Sequence, residues 1–217
     1  MPSNETVMQP TNLGPSRNPF NYERIEQIDR DVTTAWLTQT EIQNQLNLFG
    51  DDSQSAYLIP LELAVRMAIE DYLGISLTSV TYRCYYSANA LYGIPLALDL
   101  PTPLVNAPTI DRVAYYSGQT PPVANTVDPS QYFFDPSGNR VVINTLPTEM
   151  NMYVTNPIWV DYTLGADLLA TFPVVKQAGL LLLTHLYNNR DEATTKKLVT
   201  IPWGIDVLLR PYRRLVM

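Results

Sequence analysis

The sequence predicts an α+β protein: a helical bundle of two long helices plus short N- and C-terminal helices, with an inserted small antiparallel β-sandwich or open barrel. Three observations carry this. Apolar residues recur at helical spacing in two separated stretches, 58–73 and 173–189, and between them run short segments that alternate with period two. Nine of the 18 prolines (Pro101, Pro103, Pro108, Pro121, Pro122, Pro129, Pro136, Pro147 and Pro157) lie between those short segments. Proline supplies rigid turns and strand edges, and short strands with turn signals at intervals favour a small antiparallel module. Four parts follow: a flexible N-terminal arm (1–36), a first helical part (37–76), a β-rich insertion (77–172) and a second helical part with a basic end (173–217).

The first thirty residues are rich in Asn, Pro, Ser, Thr and Gln, and their apolar residues Met8, Leu13, Phe20 and Tyr22 follow neither period. Two readings are open for this arm: a disordered terminus, or a strap that orders against a neighbouring subunit. Thr38 and Glu41 form a capping box, which predicts a helix over 39–48 with Ile42, Leu46 and Phe49 on one face and Gly50 as its stop. Asp51, Asp52 and Ser53 offer caps for a longer helix ending at Leu73, with Gly74 as its left-handed terminator. Pro60 either starts that helix or kinks it. Leu61, Ala64, Val65, Ala68, Ile69 and Tyr72 recur at three and four residues and read as a core stripe.

After Gly74 the period changes to two. Val80, Tyr82, Cys84 and Tyr86 alternate with Thr81, Arg83, Tyr85 and Ser87, predicting a half-buried strand. Further strands are predicted at 96–100, 110–116, 132–134, 140–144 and 158–164, with a turn at 135–139 (Asp-Pro-Ser-Gly-Asn). Pro173 then opens a helix to residue 189. Its 178–183 stretch, Ala-Gly-Leu-Leu-Leu-Leu, is apolar all the way round and must be covered on every side. Seventeen residues reach about 25 Å, short for a bilayer. The cover is either wholly intrachain, or partly a second subunit meeting Leu180, Leu183, Tyr187 and Arg190. A last short helix is predicted over 203–209, followed by Pro211, Tyr212, Arg213, Arg214 and Leu215.

Composition removes much chemistry. The 217 residues include one cysteine, Cys84, and one histidine, His185, so no internal disulfide and no four-ligand cysteine–histidine zinc site can form. A serine or cysteine nucleophile would have to share His185, which lies in an apolar helical run. An acid–base pair of His185 with Asp191 or Glu192 is weighed and set aside, because the helix would have to continue past Asn189. No cofactor, metal or membrane span is expected, and the chain reads as made in a cytoplasm. The net charge of -7 disfavours gripping nucleic acid. That charge is uneven: residues 1–172 carry 18 acidic and 7 basic side chains (-11), and residues 173–217 carry 3 and 7 (+4).

The last 45 residues resemble a known family. Pro173, Val174, Val175, Lys176, Gln177, Ala178, the Leu180–Leu183 run, His185, Tyr187, Asn189 and Arg190 are similar to the "vP..ikqAilllvahwYeNRe" segment of phage head-tail connector proteins. Ile201, Pro202, Trp203, Gly204, Ile205, Leu208, Leu209, Pro211, Tyr212, Arg213 and Arg214 resemble that family's closing "lPfGvdaLLaPYRr". The helix ending Ala68, Ile69, Glu70, Asp71, Tyr72, Leu73, Gly74 is similar to the family's first long helix, and Leu100, Pro101, Pro103, Leu104, Ile110 and Tyr115 to the "LPrPPl..V.sI.Y" of longer members with a β-insertion. Residues 1–36 depart from the pattern.

This resemblance implies a non-enzymatic virion protein of the phage neck, forming a ring usually of twelve copies between the portal vertex and the tail. Its partners would be the portal protein and a tail-terminator, stopper or other tail protein, with packaged DNA passing through the lumen unbound. The C-terminal segment would dock on the portal through Trp203, Leu209, Arg210, Tyr212, Arg213, Arg214 and Leu215. Arginine and tyrosine are frequent interface anchors, although three solvated arginines at a frayed end are the simpler reading. An acidic lumen would repel phosphate, with Asp99, Asp111, Asp128, Asp135 and Asp161 as candidates to face it. The alternative is a tail or baseplate component whose β module binds a neighbouring tail protein or a receptor. A carboxylate hydrolase lacks a localised Asp and Glu constellation, and a carbohydrate-binding β module would rest on the 14 tyrosines, which strands and interfaces explain better.

Overall fold

The computed structural model describes residues 21–92, 96–101, 107–189 and 203–213. The described residues form a mixed α+β fold of four helices and two antiparallel sheets. In chain order the elements are β1 (Tyr22–Arg30), α1 (Gln39–Leu46), α2 (Ser55–Leu73), β2 (Val80–Tyr86), β3 (Ala97–Asp99), β4 (Thr109–Tyr116), β5 (Ala124–Thr126), β6 (Tyr132–Asp135), β7 (Arg140–Ile143), β8 (Ile158–Leu164), α3 (Pro173–Asn188) and α4 (Trp203–Leu209), with a 3-10 turn at Arg210–Tyr212.

The larger sheet runs β1-β2-β8-β4-β5 and the smaller β3-β7-β6. One apolar cluster draws on both: Cys84, Tyr86, Val113, Ile158, Val160 and Tyr162 from the first, and Leu98, Val141 and Ile143 from the second. β2 therefore buries Val80, Cys84 and Tyr86, as its alternation predicts. The Asp135 carboxylate accepts from the Ser137 amide and hydroxyl and pairs with Arg140, which holds the predicted β6–β7 turn; these bonds lower its pKa to about 2. Asn139 takes the turn's left-handed position, φ 49°.

The N-terminal arm predicted through residue 36 is corrected over 22–30. This segment is the edge strand of the larger sheet, pairing Tyr22 with Tyr86 through Arg30 with Val80, with two bulges. It hides no period because most of its residues are exposed on both faces. Charges and bulges of this kind protect an edge from unwanted pairing. Residues 1–20 of the predicted arm lie outside the described residues.

The four helices share the second apolar cluster. Thr38 and Glu41 form the predicted capping box, and Glu41 also receives Lys176 Nζ at 2.8 Å, tying α1 to α3. α1 stops two residues earlier than predicted, because Asn47 takes the left-handed cap at φ 56°. Pro60 sits inside a continuous α2, where it has no N–H to give the Ala56 carbonyl. Gly74 closes α2 in the left-handed conformation, φ 67°.

α2 turns charged side chains inward. Glu62, Arg66 and Glu70, one turn apart, are 5%, 0% and 2% exposed. Glu62 Oε1 accepts the Trp36 and Leu37 amides at 3.0 and 3.1 Å. Arg66 donates to the Thr34 and Asp31 carbonyls, and Glu70 accepts from the Leu77 amide and pairs with Arg30. The link from β1 to α1 is thus bolted to α2 through its backbone. Ala64 and Ala68, predicted for the core, are exposed, because the inward positions are taken by this charged row.

Gly179 of α3 lies against Trp36, whose indole N–H donates to the Ala170 carbonyl at 2.8 Å. A methyl at 179 would lie 2.5 Å from the Trp36 ring, which that hydrogen bond holds in place. Gly179→Ala should therefore destabilise the protein by about 2 kcal/mol in a chemical denaturation experiment, overriding the gain of about 1 kcal/mol that alanine ordinarily brings to a helix. An unchanged or raised midpoint would show that Trp36 gives way freely.

Candidate functional site

The predicted docking residues divide sharply. α4 is seated by Ile205 and Leu209, 3% and 0% exposed in the helical cluster. Leu209 is therefore corrected from a docking contact to an internal anchor; its i, i+4 spacing with Ile205 is the core pattern the sequence already carries. Tyr72 donates its hydroxyl to Asp206, which also pairs with Arg210 one turn on. Those two bonds, the tyrosine's first, hold the Asp206 carboxyl below its usual range, and the same contact raises the Tyr72 phenol. Tyr212 packs edge-on against Phe172 with ring centroids 6.0 Å apart, and the Arg213 guanidinium stands 5.3 Å from the Tyr72 ring centre. Arg210 and Arg213 are exposed. Arg214 and Leu215 lie outside the described residues, as does the side chain of Trp203.

The face of α3 predicted to meet another subunit is also mostly internal. Leu183 is 0% exposed, packed in the chain's own core, and Leu180 is half-buried against the same cluster. Leu183 is thereby corrected to a core residue of the helical cluster. The Tyr187 hydroxyl donates to Gln54 at 3.0 Å and its ring lies 6.2 Å from that of Tyr57. Arg190 lies outside the described residues. The leucine that α3 does present is Leu181, 37% exposed. It borders an open cleft of about 670 Å³ between α3 and α4, lined also by His185, Ile205 and Leu208.

The outer face of the larger sheet carries an arrangement that sequence reasoning missed. Asp161, 3% exposed, accepts Arg83 Nε and Nη2 at 2.6 and 2.9 Å on one side and Arg112 Nε at 2.6 Å on the other. Trp159 lies beside it, with Tyr116 at 4.8 Å and Tyr85 at 6.3 Å between ring centres, and Arg24 lies over Tyr85. The signal was present in the polar partners of the alternation, Arg83 and Tyr85 on β2. Asp161 is thus neutralised by two guanidiniums. The other candidate acids have local partners: Asp99 accepts from the Asn21 amide, Asp111 from Thr163, and Asp128 from the Ser130 amide.

Burial pushes the Cys84 thiol up to about 12, so it is protonated at neutral pH and inert as a nucleophile. Among the described residues no group of three His, Cys, Asp or Glu side chains could hold a metal ion, and no helix is long and apolar enough to cross a membrane.

Solved structures share this architecture. A chain from the neck of an empty GTA particle, computed with C6 symmetry, is 21% identical, with 90% of this chain and 97% of that chain covered at a TM-score of 0.58. The likeness is one of fold. Chains from the virion of a native gene transfer agent (GTA) particle, and from the neck of a native GTA particle computed with C12 symmetry, each align with 22% identity over the same shares at a TM-score of 0.53. No protein-family model matches the chain, and no curated protein matches it. The connector family named from the motifs is therefore carried by the motifs alone, whereas the fold spans nearly the whole chain.

Proposed function

We propose that this chain is a structural protein of a virion neck, assembled as a homo-oligomeric ring of twelve copies that joins the portal vertex of a phage head to the tail. The observation that carries this reading is the shared fold with chains of symmetric neck assemblies, over 90% of this chain and 97% of those chains. The C-terminal motif agrees with it. In this reading α4 is held by Ile205 and Leu209 so that Arg210 and Arg213 face outward. A guanidinium keeps its charge under all conditions and forms forked hydrogen bonds, which suits a carboxylate- or carbonyl-rich portal rim. DNA passes through the lumen without being held, because the acidic body repels phosphate. That repulsion comes from the -11 net charge of residues 1–172 as a whole, since Asp161 is internally neutralised.

The test is direct. Mixed with portal rings of the same particle, the full-length protein should cap them with a second ring visible by electron microscopy. A chain cut after Leu209 should keep the fold, because its two α4 anchors remain, and should lose at least tenfold in portal affinity. Unchanged binding by the shortened chain would remove the docking role of 210–217, and absence of any ring with the full chain would overturn the neck assignment.

A further inference from the structure

α2 turns charged side chains inward beside its buried Leu58, Val65, Ile69 and Leu73, and leaves an apolar stripe exposed. Across residues 53–70 every charged side chain, Glu62, Arg66 and Glu70, points inward and is at most 5% exposed. The exposed face beside this row carries Ala56, Ile59, Pro60, Leu63, Ala64 and Met67, recurring at three and four residues over about 17 Å of helix. Ile59 is 67% and Met67 39% exposed, and the other members are exposed or half-buried. The stripe runs into a groove of about 450 Å³ beside the 32–37 link, lined by Val32, Ala35, Leu58, Ile59, Pro60 and Leu63. An exposed apolar surface of this continuity marks an interaction site.

We infer that this outer face of α2 receives a second copy of the chain, which presents its α3–α4 flank; the inference rests on the ring reading above. A closed ring of more than two copies needs two different, complementary patches on each copy. The cleft beside Leu181 is the second patch; Val207, 45% exposed, stands on the same short helix as its lining residues Ile205 and Leu208. The two patches cannot satisfy each other within one copy. α2 meets the shared core with Val65 and Ile69, opposite its stripe, while on α3 the contact with α1 at Lys176 and the cleft at Leu181 lie about 140° apart around the helix. Charge supports the same pairing. The stripe lies in the part of the chain with net charge -11, between the exposed acids Asp52 and Asp71, whereas the α3–α4 flank lies in the part with +4. Opposite fields steer such a contact and fix its direction around the ring.

The experiment uses the full-length chain with portal rings. The double variant Ile59→Asp, Met67→Asp changes two exposed positions, so its thermal midpoint and far-UV spectrum should match the parent while ring formation, read by native mass spectrometry and electron microscopy, is lost. Independently, a chain carrying Met67→Cys and Val207→Cys should form, on mild oxidation of assembled rings, a ladder of covalent multimers rising to the full ring. Rings from the aspartate variant as abundant as from the parent, or parent-like rings that yield no ladder, would overturn the inference while leaving the neck assignment standing. A variant that forms free rings but fails to bind the portal would assign the stripe to the portal instead, which also overturns it. A parent chain that stays monomeric beside portal rings would remove the ring itself, and the docking with it.

Discussion

Replacing Glu70 with alanine is expected to lower the unfolding free energy by about 3 to 5 kcal/mol, a large share of the 5 to 15 kcal/mol typical of a folded domain. Glu70 is 2% exposed and serves two elements at once. Its Oε1 accepts the Leu77 amide at 2.7 Å in the turn that leads from α2 to β2, and its Oε2 pairs with Arg30 at the end of β1. Alanine leaves a buried N–H unsatisfied and a guanidinium, its side chain 15% exposed, facing no anion. Glu70→Gln keeps the acceptor for Leu77 but turns its amide N–H groups towards Arg30, so its loss should be smaller. Urea denaturation followed by tryptophan fluorescence measures both. A loss below about 1 kcal/mol for the alanine variant would mean that water enters and replaces the carboxylate.

That charged row also explains where the sequence was legible. Segments half-covered by the protein show their period: β2 buries Val80, Cys84 and Tyr86 in alternation, and Pro173, Gly74 and the Thr38–Glu41 box fall where local backbone chemistry puts them. β1 shows no period because it is an edge strand exposed on both faces, so its apolar residues Ile25 and Ile28, each 41% exposed, report no single core. On α2 the usual rule that charges face water is reversed, because the 31–37 link carries backbone N–H and C=O groups into the interior and the helix must supply their partners. Ala64 and Ala68 read as core because apolar spacing is the signal there, whereas Glu62 and Arg66 take inward positions. At the C-terminal end the family motif marked a contiguous run, and contiguity alone cannot tell Leu209, which faces inward, from Arg210, which faces out.

The second large effect is expected at Asp161, where charge rather than backbone is the matter. Asp161→Asn should cost about 3 kcal/mol, since it leaves Arg83 and Arg112 on one small patch with no anion between them. Arg83 is the more sensitive partner: its side chain is 22% exposed and its guanidinium lies 5.5 Å from the Trp159 ring centre, whereas Arg112, 47% exposed, can turn to water. The loss should vary little between 0.05 and 0.5 M salt, because a carboxylate 3% exposed is poorly screened. A matched change, Arg83→Met with Asp161→Leu, should recover most of it by replacing the pair with apolar packing against Trp159. Recovery would show that the fold tolerates an apolar pair and that the harm of the single change is the unpaired cation. No recovery, together with a mild loss for Arg83→Met alone, would instead place the weight on Arg112, the link through which β4 and β8 share one carboxylate.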